Sequence, residues 1–199
     1  MFHRGLTLND ILAIITLMFW GLVPLFWIPV HGFSAFFKKL GIFTYITPVV
    51  TWIPFAWLIY ANREFLLRYQ VSFPLAAISA GWIVLALGTL LQLWTLKLLR
   101  GWGLIGLPEV TRLVQGRIIT TGPFSVIRHP TYLSHTIMYA GVFLITGFVV
   151  IGTITLLDII VINTLVIPLE DRELVERFGE EYRRYKDRVP AFFPVISKK

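Results

Sequence analysis

Long stretches without a charged residue are the feature that most constrains this chain. Three of them lie in the first half of the sequence, at 11–37, 40–62 and 69–96. A helix needs about 20 apolar residues to cross the hydrocarbon core of a bilayer, so each stretch can hold one crossing. Only 15% of the residues are charged and 56% are hydrophobic, whereas a soluble domain carries about a quarter charged residues. We therefore predict an all-α integral membrane protein.

The apolar stretches and the breaks between them predict five transmembrane helices. The predicted spans are 9–28, 40–62, 69–96, 130–148 and 151–168. Residues 29–39, with two lysines, are expected to form a loop, and 101–127 a long polar connection. Gly81 and Gly88 in the third span would let a neighbouring helix approach closely. The turn at 146–148 carries no charge, which is typical of a tight helical hairpin.

The distribution of basic residues predicts the orientation in the membrane. With five spans, Arg4, Arg63 and Arg68 fall on one side, and the rest of the 18 Lys and Arg residues fall on the other. Basic residues collect on the cytoplasmic side, so we expect the N-terminus outside and the C-terminus in the cytoplasm. This asymmetry accounts for the net charge of +7. No soluble basic domain is left to bind nucleic acid.

A C-terminal amphipathic helix is predicted after the last span. Apolar side chains recur at helical spacing on one face, at Leu174, Phe178, Tyr182, Tyr185 and Val189. Acidic residues lie early in this segment and basic ones late, which suits the helix dipole. We expect one helix lying on the cytoplasmic surface and ending at Pro190. The chain then divides into a membrane scaffold, 1–109, and a functional core, 110–199.

Two polar segments, 120–132 and 170–194, are expected to meet on the cytoplasmic side and form the site. Arg128 and His129 come directly before Pro130, a residue suited to the first turn of a helix. The N–H groups of that turn, with Arg128 beside them, would make an anion site. The alternative is that Arg128 only anchors the helix among the lipid headgroups.

Other polar residues in this region have simpler interpretations. His129 and His135 are six residues apart with no evident third ligand, and the chain has no cysteine, so we expect no metal site. Asp158 lies in the middle of a predicted span, where an acid is costly and usually functional. Pairing with His135 or Asn163 as internal support is favoured over catalysis for Asp158.

A set of short motifs occurs in order along the second half of the chain. They are Ile119-Thr120-Thr121-Gly122-Pro123-Phe124, Arg128-His129-Pro130-Thr131-Tyr132, Glu170, Phe178-Gly179-Glu180-Glu181-Tyr182 with Tyr185, and Arg188-Val189-Pro190. Together they resemble the isoprenylcysteine carboxyl methyltransferase family, and related phospholipid methyltransferases share the first part. The resemblance covers roughly 110–194, while the first three predicted spans match no family.

The resemblance implies S-adenosylmethionine as methyl donor and S-adenosylhomocysteine as product. The implied cofactor-binding residues are Gly116, Arg117, Ile118, Ile119, Phe124, His129, Pro130, Thr131, Tyr132 and Glu170. Of the two residues assigned to catalysis, Arg128 would hold the donor's carboxylate and Glu170 its ammonium group. Methyl transfer from a sulfonium is an in-line displacement, and positioning and desolvation can supply most of its rate.

The resemblance also implies a lipophilic acceptor that enters from the bilayer, a prenylated substrate carrying an isoprenylcysteine carboxylate above all. Eukaryotic members carry an Arg for that carboxylate four residues before the matched Glu, where this chain has Val166. A phospholipid N-methyltransferase is an alternative. So is a nicotinamide-dependent membrane reductase of the steroid-reductase type, and so is a carrier or scaffold without enzymatic activity.

Overall fold

The computed structural model describes residues 5–100 and 117–192, and it builds these two ranges from helices. Its helices are α1 Leu8–Trp20, α2 Ile28–Gly32, α3 Ser34–Leu40, α4 Ile46–Ala61, α5 Arg63–Leu66, α6 Leu75–Leu99, α7 Pro130–Thr146, α8 Val149–Val161, α9 Ile167–Phe178 and α10 Glu180–Arg188. The predicted helical class is confirmed for the described residues.

Four helical stretches in these ranges are long and apolar enough to cross a membrane. They are Leu8–Gly32, Ser34–Ala61, Leu75–Leu99 and Val149–Phe178. A π-helical segment at Val23–Trp27 joins α1 to α2, and a second at Ile162–Val166 joins α8 to α9. The predicted fourth span is α7, which has 17 residues and is shorter than these four. The count of five spans therefore stays a prediction.

The predicted loop at 29–39 is wrong, because α2 and α3 occupy most of it. Lys38 and Lys39 lie in the last turn of α3, where cations interact favourably with the helix dipole. Charge therefore marked a boundary of apolar sequence here without ending the helix. The last span likewise continues past Pro168, which lies in the first turn of α9 directly after the π-helical segment at Ile162–Val166. Local π-helical geometry is one way in which a membrane helix accommodates a proline.

The single C-terminal amphipathic helix is also a wrong prediction. Gly179 separates α9 from α10 with φ 57° and ψ −129°, a backbone conformation that glycine adopts at little cost. The segment is therefore two helices, of which α9 is continuous with the last candidate span and α10 turns away from it.

Close helix packing through glycine is confirmed between α6 and α7. A Cβ built on Gly88 would lie 2.7 Å from a side-chain carbon of Met138, and one on Gly141 would lie 2.6 Å from the backbone nitrogen of Leu85. Neither position has room for a side chain. The tight hairpin after α7 is confirmed too: Gly147 turns the chain with φ 69°, and its carbonyl accepts a hydrogen bond from the N–H of Val71 at 2.8 Å.

Asp158 pairs across this hairpin, but with a different partner from those predicted. It is fully buried and accepts a hydrogen bond from Thr136 at 2.5 Å, while the side chain of Asn163 donates to the carbonyl of Ile159. His135 and Thr136 are neighbours in α7 and so point about 100° apart around the helix, following from its 3.6 residues per turn. His135 therefore faces away, where its ring stacks on Tyr139.

The two π-helical segments pack against each other in one apolar cluster. Val23 of the first segment and Ile162 and Val166 of the second are buried there with Tyr132 and Phe192. The cluster brings the first candidate span against the last one and places α2 beside α9. This contact holds the first and the last candidate spans together beside the site.

Candidate functional site

The start of α7 is bound by the C-terminal segment of the chain. The backbone N–H of Arg128 donates to the carbonyl of Pro190 at 2.8 Å, and that of His129 donates to Ala191 at 3.0 Å. The N–H groups of these two residues are therefore taken up by the last described residues, which fold back onto them. The anion site predicted at the first turn of α7, which begins at Pro130, stays a prediction.

Asp171 is the centre of a buried polar cluster on α9. Its carboxylate lies 2.7 Å from Nη2 of Arg128, 3.1 Å from Nε2 of His129 and 3.0 Å from Nζ of Lys186. The hydroxyl of Tyr182 also donates to it, and Asp171 is only 5% exposed. One carboxylate thus joins the start of α7 to α9 and α10.

Sequence reasoning missed Asp171. It follows Glu170 directly, but adjacent residues on a helix point in different directions, and only the folded chain shows which of them meets Arg128. The regular spacing of Tyr182 and Tyr185 was the one signal that a face of the C-terminal segment is covered.

Arg128 also holds the C-terminal segment through its side chain. Its Nη1 donates to the carbonyls of Val189 at 2.6 Å and of Lys186 at 3.1 Å. Nε of Arg128 is buried and has no hydrogen-bond partner among the residues that the structure describes. The guanidinium is therefore fixed in place, and its Nε–H remains available as a donor. Headgroup anchoring does not describe a side chain that is 6% exposed.

His129 bridges two neighbouring carboxylates. Its Nδ1 lies 3.3 Å from Glu170 and its Nε2 lies 3.1 Å from Asp171. Burial disfavours the charged ring, but the two carboxylates outweigh it and raise the pKa of His129 to about 9. The ring is therefore an imidazolium at neutral pH, with both nitrogens engaged. It fixes Glu170 beside the cavity described next.

A second contact fixes α10 to the turn before α7. The hydroxyl of Tyr185 donates to the carbonyl of Phe124 at 2.6 Å. Burial raises the pKa of Tyr185 to about 12, so the hydroxyl stays protonated and keeps donating at physiological pH. Phe124 itself is buried and forms part of the cavity wall.

A cavity of about 900 Å³ lies between the first candidate span, α7, α9 and α10. It is lined by most of the residues predicted to bind the cofactor: Arg117, Ile118, Ile119, Phe124, His129, Thr131, Tyr132 and Glu170, together with Arg128. Pro130 is buried at the start of α7 and does not line it. The remaining predicted residue, Gly116, lies outside the described ranges. The two predicted polar segments do meet.

The first candidate span supplies the opposite wall of this cavity. Phe26, Trp27 and His31 line it, although the sequence indicated only a scaffold in this part of the chain. A histidine within a long uncharged stretch was the signal that could have identified this wall. The division at residue 109 therefore does not separate the residues that line the cavity from the rest.

The cavity suits a ligand of the size and chemistry of S-adenosylmethionine. Ligand pockets commonly have volumes of about 300–1,000 Å³ with apolar walls and a few convergent polar groups. Here the aromatic rings of Phe124 and Tyr132 line the same space as the carboxylate of Glu170 and the cation of Arg117. A zwitterionic amino acid group needs such a pair of opposite charges, and an adenine ring needs flat apolar walls.

Comparison with known proteins agrees with this chemistry. The family model described as phospholipid methyltransferase matches residues 76–181, more than half of the chain. The chain belongs to this family. Its members are membrane methyltransferases that use S-adenosylmethionine as methyl donor, so both the resemblance and the donor predicted from the sequence are confirmed.

Several curated proteins are similar over part of their length. The cobalt-zinc-cadmium resistance protein CzcN of Cupriavidus metallidurans is 33% identical over 52% of this chain and 53% of its own. Methanethiol S-methyltransferase 1 of Bradyrhizobium diazoefficiens is 30% identical over 58% of this chain and 39% of its own. A methanethiol S-methyltransferase of Crocosphaera subtropica is 30% identical over 57% and 46%.

The chain thus spans about half, or less, of the length of these relatives. No solved structure matches it. The comparisons establish membership of a family of membrane methyltransferases, and the acceptor has to be argued from the site.

Proposed function

We propose that this methyltransferase acts on a small apolar thiol that reaches the cavity from the bilayer. The observation that carries the proposal is the cavity itself, in which one wall holds the charged groups around Glu170 and the other holds the rings of Phe26 and Trp27. A zwitterionic donor suits the first wall and an apolar acceptor the second. Two similar proteins are named methanethiol S-methyltransferases, which supports a thiol.

The predicted isoprenylcysteine carboxylate is less well supported as acceptor. The position where eukaryotic members of the resembled family carry an Arg is Val166 here. Val166 is fully buried in an apolar cluster with Ile162 and Tyr132, so no cation is available from this position to pair with a carboxylate. A neutral acceptor needs no such partner.

For the donor, we retain the residues expected from the sequence. Glu170 would hold the ammonium group, Nε of Arg128 with Arg117 the carboxylate, and Phe124 and Tyr132 the adenosyl rings. When bound, S-adenosylmethionine supplies an electrophilic methyl group on its sulfonium. The chain contributes position and a dry, shaped cavity. His129, held by Asp171, orients Glu170.

We also retain five spans, with the N-terminus outside and the site on the cytoplasmic side. The 17 residues of α7 are at the lower limit of about 17–25 residues for a crossing. The concentration of Lys and Arg on one side of the five-span arrangement supports this orientation. A cysteine placed at Ser72 should then react with an impermeant reagent from outside, and one placed at Ser125 only from the cytoplasm.

Titration of the purified protein in detergent with S-adenosylhomocysteine tests the donor site. We expect micromolar binding that weakens at least tenfold in Glu170→Gln, because the ammonium group loses its partner. Glu176→Gln, an exposed acid two turns further along α9, is the matched control and should bind normally. Equal binding by both variants would reject the role of Glu170.

Methyl transfer from labelled donor to three acceptors tests the acceptor class. We expect transfer to a short-chain alkane thiol in preference to an S-farnesyl cysteine derivative or phosphatidylethanolamine. Preference for the farnesyl compound would restore the carboxylate acceptor, and preference for the phospholipid would assign N-methylation. Donor binding without transfer to any of the three would leave the donor site standing and overturn the thiol proposal.

A further inference from the structure

His31 is a buried histidine that the donor site leaves unused. It lies in α2, in the first candidate span, outside residues 76–181 that match the family model. It is 6% exposed, and neither ring nitrogen has a hydrogen-bond partner among the residues that the structure describes. Buried polar groups are nearly always paired, so an orphaned ring that lines a cavity calls for a ligand.

The surroundings of His31 are aromatic on its own side of the cavity. Its ring stacks on Trp27 at 5.4 Å between centroids with an interplanar angle of 15°. Trp27 in turn contacts Phe26 at 5.2 Å, and Phe26 stacks on Tyr45 at 6.1 Å. This is the apolar wall that we assign to the acceptor. His31 is the titratable group that α2 contributes to it.

Charged groups approach His31 from the other elements around the cavity. Glu170, Glu173 and Arg177 of α9 and His129 before α7 act on it electrostatically. Glu173 is held by Lys38 at 3.2 Å and by Arg177 at 3.6 Å. Burial opposes a positive charge on the His31 ring most strongly, and the His129 imidazolium and Arg177 oppose it too, whereas the two carboxylates favour it.

The other histidines at the cavity are less suited to accept a proton. His129 already carries its proton, and both of its nitrogens are engaged by carboxylates. His135 lines the cavity from α7 and also has a buried Nδ1 without a partner among the described residues, but its ring stacks on Tyr139 and not on the aromatic wall of Phe26 and Trp27. His31 combines an available ring nitrogen with two carboxylates nearby.

A thiol acceptor needs a nearby group that can accept its proton. The thiolate is the nucleophile, and even the cysteine thiol, with a pKa of about 8.5, is mostly protonated at neutral pH. An alkane thiol is a weaker acid than cysteine and is protonated to a greater extent. A carboxylate acceptor is already ionised and needs no base. The requirement for a proton acceptor therefore follows from the thiol chemistry, and this inference rests on the proposed function.

We propose that His31 is the general base that takes the proton of the acceptor thiol. The S–H bond breaks and its proton moves to the unprotonated ring nitrogen of His31. The electron pair left on sulfur forms the bond to the methyl carbon, and the sulfonium C–S bond breaks with its pair remaining on the donor's sulfur. The proton then leaves His31 for solvent.

Rates measured from pH 6 to pH 9 in His31→Gln and in the matched control His135→Gln test this role. At pH 7 we expect His31→Gln to lose about 100-fold in kcat, the scale of general-base catalysis. The loss should shrink by about tenfold per pH unit as the thiol ionises without help. Added imidazole should restore part of the rate of His31→Ala. We expect His135→Gln to lose at most a few-fold, without a pH trend.

Two binding titrations provide readouts other than activity. S-adenosylhomocysteine should bind wild type and His31→Gln equally well, which also shows that the variant is folded. Binding of the alkane thiol to the protein loaded with S-adenosylhomocysteine should weaken in His31→Gln and not in His135→Gln.

Three results would overturn the proposal. A fall in S-adenosylhomocysteine affinity in His31→Gln would make His31 part of the donor site. A loss of rate that is the same at every pH would make its role structural. A wild-type protein that binds the donor product but methylates no thiol would remove the need for a base. In that case the assignment of a thiol acceptor fails. If wild type methylates the thiol but His31→Gln lacks the expected pH-dependent loss of rate, only the role of His31 fails and the thiol acceptor stands.

Discussion

The four candidate spans fall into two pairs that differ in how much protein surrounds them. In Ser34–Ala61 and Leu75–Leu99, 11% of the most apolar window is buried, against 39% in both Leu8–Gly32 and Val149–Phe178. The buried pair contains both π-helical segments and contributes Trp27, His31 and Glu170 to the cavity lining. The exposed pair presents large apolar side chains outward, such as Trp57 and Leu90.

This difference shows that position in the chain is a poor guide to function here. The family model leaves the first span out, yet this span is as buried as the last one and faces it across the site. Local departures from α-helical geometry often accompany functional sites, and in the described residues the π-helical segments occur in the two more buried spans.

The largest expected effect is the loss of the carboxylate that joins the buried elements. Asp171→Asn leaves the buried Arg128 without its charge partner and His129 with Glu170 alone, and breaking a buried pair commonly costs about 3–5 kcal/mol of stability. Thermal unfolding in detergent should show a large drop in Tm. Glu176→Gln, which breaks an exposed pair with Arg172, should change stability by less than about 1 kcal/mol. Similar Tm values in both variants would contradict the central role of Asp171.

The second largest effect is expected from the pH dependence of stability, through the titration of His129. The pKa of His129 is raised to about 9 in the folded protein from about 6.5 when unfolded. Its contribution is therefore complete below about pH 6.5 and is lost as the pH rises towards 9, by a few kcal/mol in order of magnitude. Unfolding followed between pH 6 and pH 9 should show this decline, and His129→Gln should flatten it. A decline of the same size in that variant would assign it to other groups.

Close packing between α6 and α7 should give an intermediate effect. Gly141→Ala places a methyl group against the backbone of Leu85 in α6, and overpacking of this kind costs about 1–3 kcal/mol. Gly5→Ala has open space around it and should be neutral. If Gly141→Ala leaves Tm unchanged, α6 and α7 can separate without cost and the contrast between the pairs weakens.

The smallest effect is expected where α3 meets α9. Lys38 pairs with Glu173 at 3.2 Å, but its side chain is 41% exposed, so screening limits the pair to less than about 1 kcal/mol. Lys38→Gln should lower Tm slightly at low salt and less at high salt. Lys39→Gln, which removes the same charge one residue away, is the control. An equal effect of both would reflect net charge and not this ion pair.

The positions of the helices were largely readable from the sequence. Uncharged stretches located the four candidate spans, and Gly147 and Pro130 marked the hairpin and the start of α7. The predicted bounds were wrong at Lys38 and Lys39, which were assigned to a loop but lie in α3. A lysine side chain can extend from a helix into water while its backbone stays helical. The sequence did not predict the break at Gly179, because glycine also occurs inside helices.

The site, like the fold, has features that the sequence predicted and features that only the structure revealed. The sequence by itself determined the membrane class, the methyl donor and most residues of one cavity wall, because these depend on composition and on motifs that are continuous in the chain. Only the tertiary structure decided that Asp171 joins Arg128 to α10, that Thr136 and not His135 meets Asp158, and that His31 and Glu170 line the same cavity. Those pairings join residues far apart in sequence, and they depend on the direction in which each helix face points after packing.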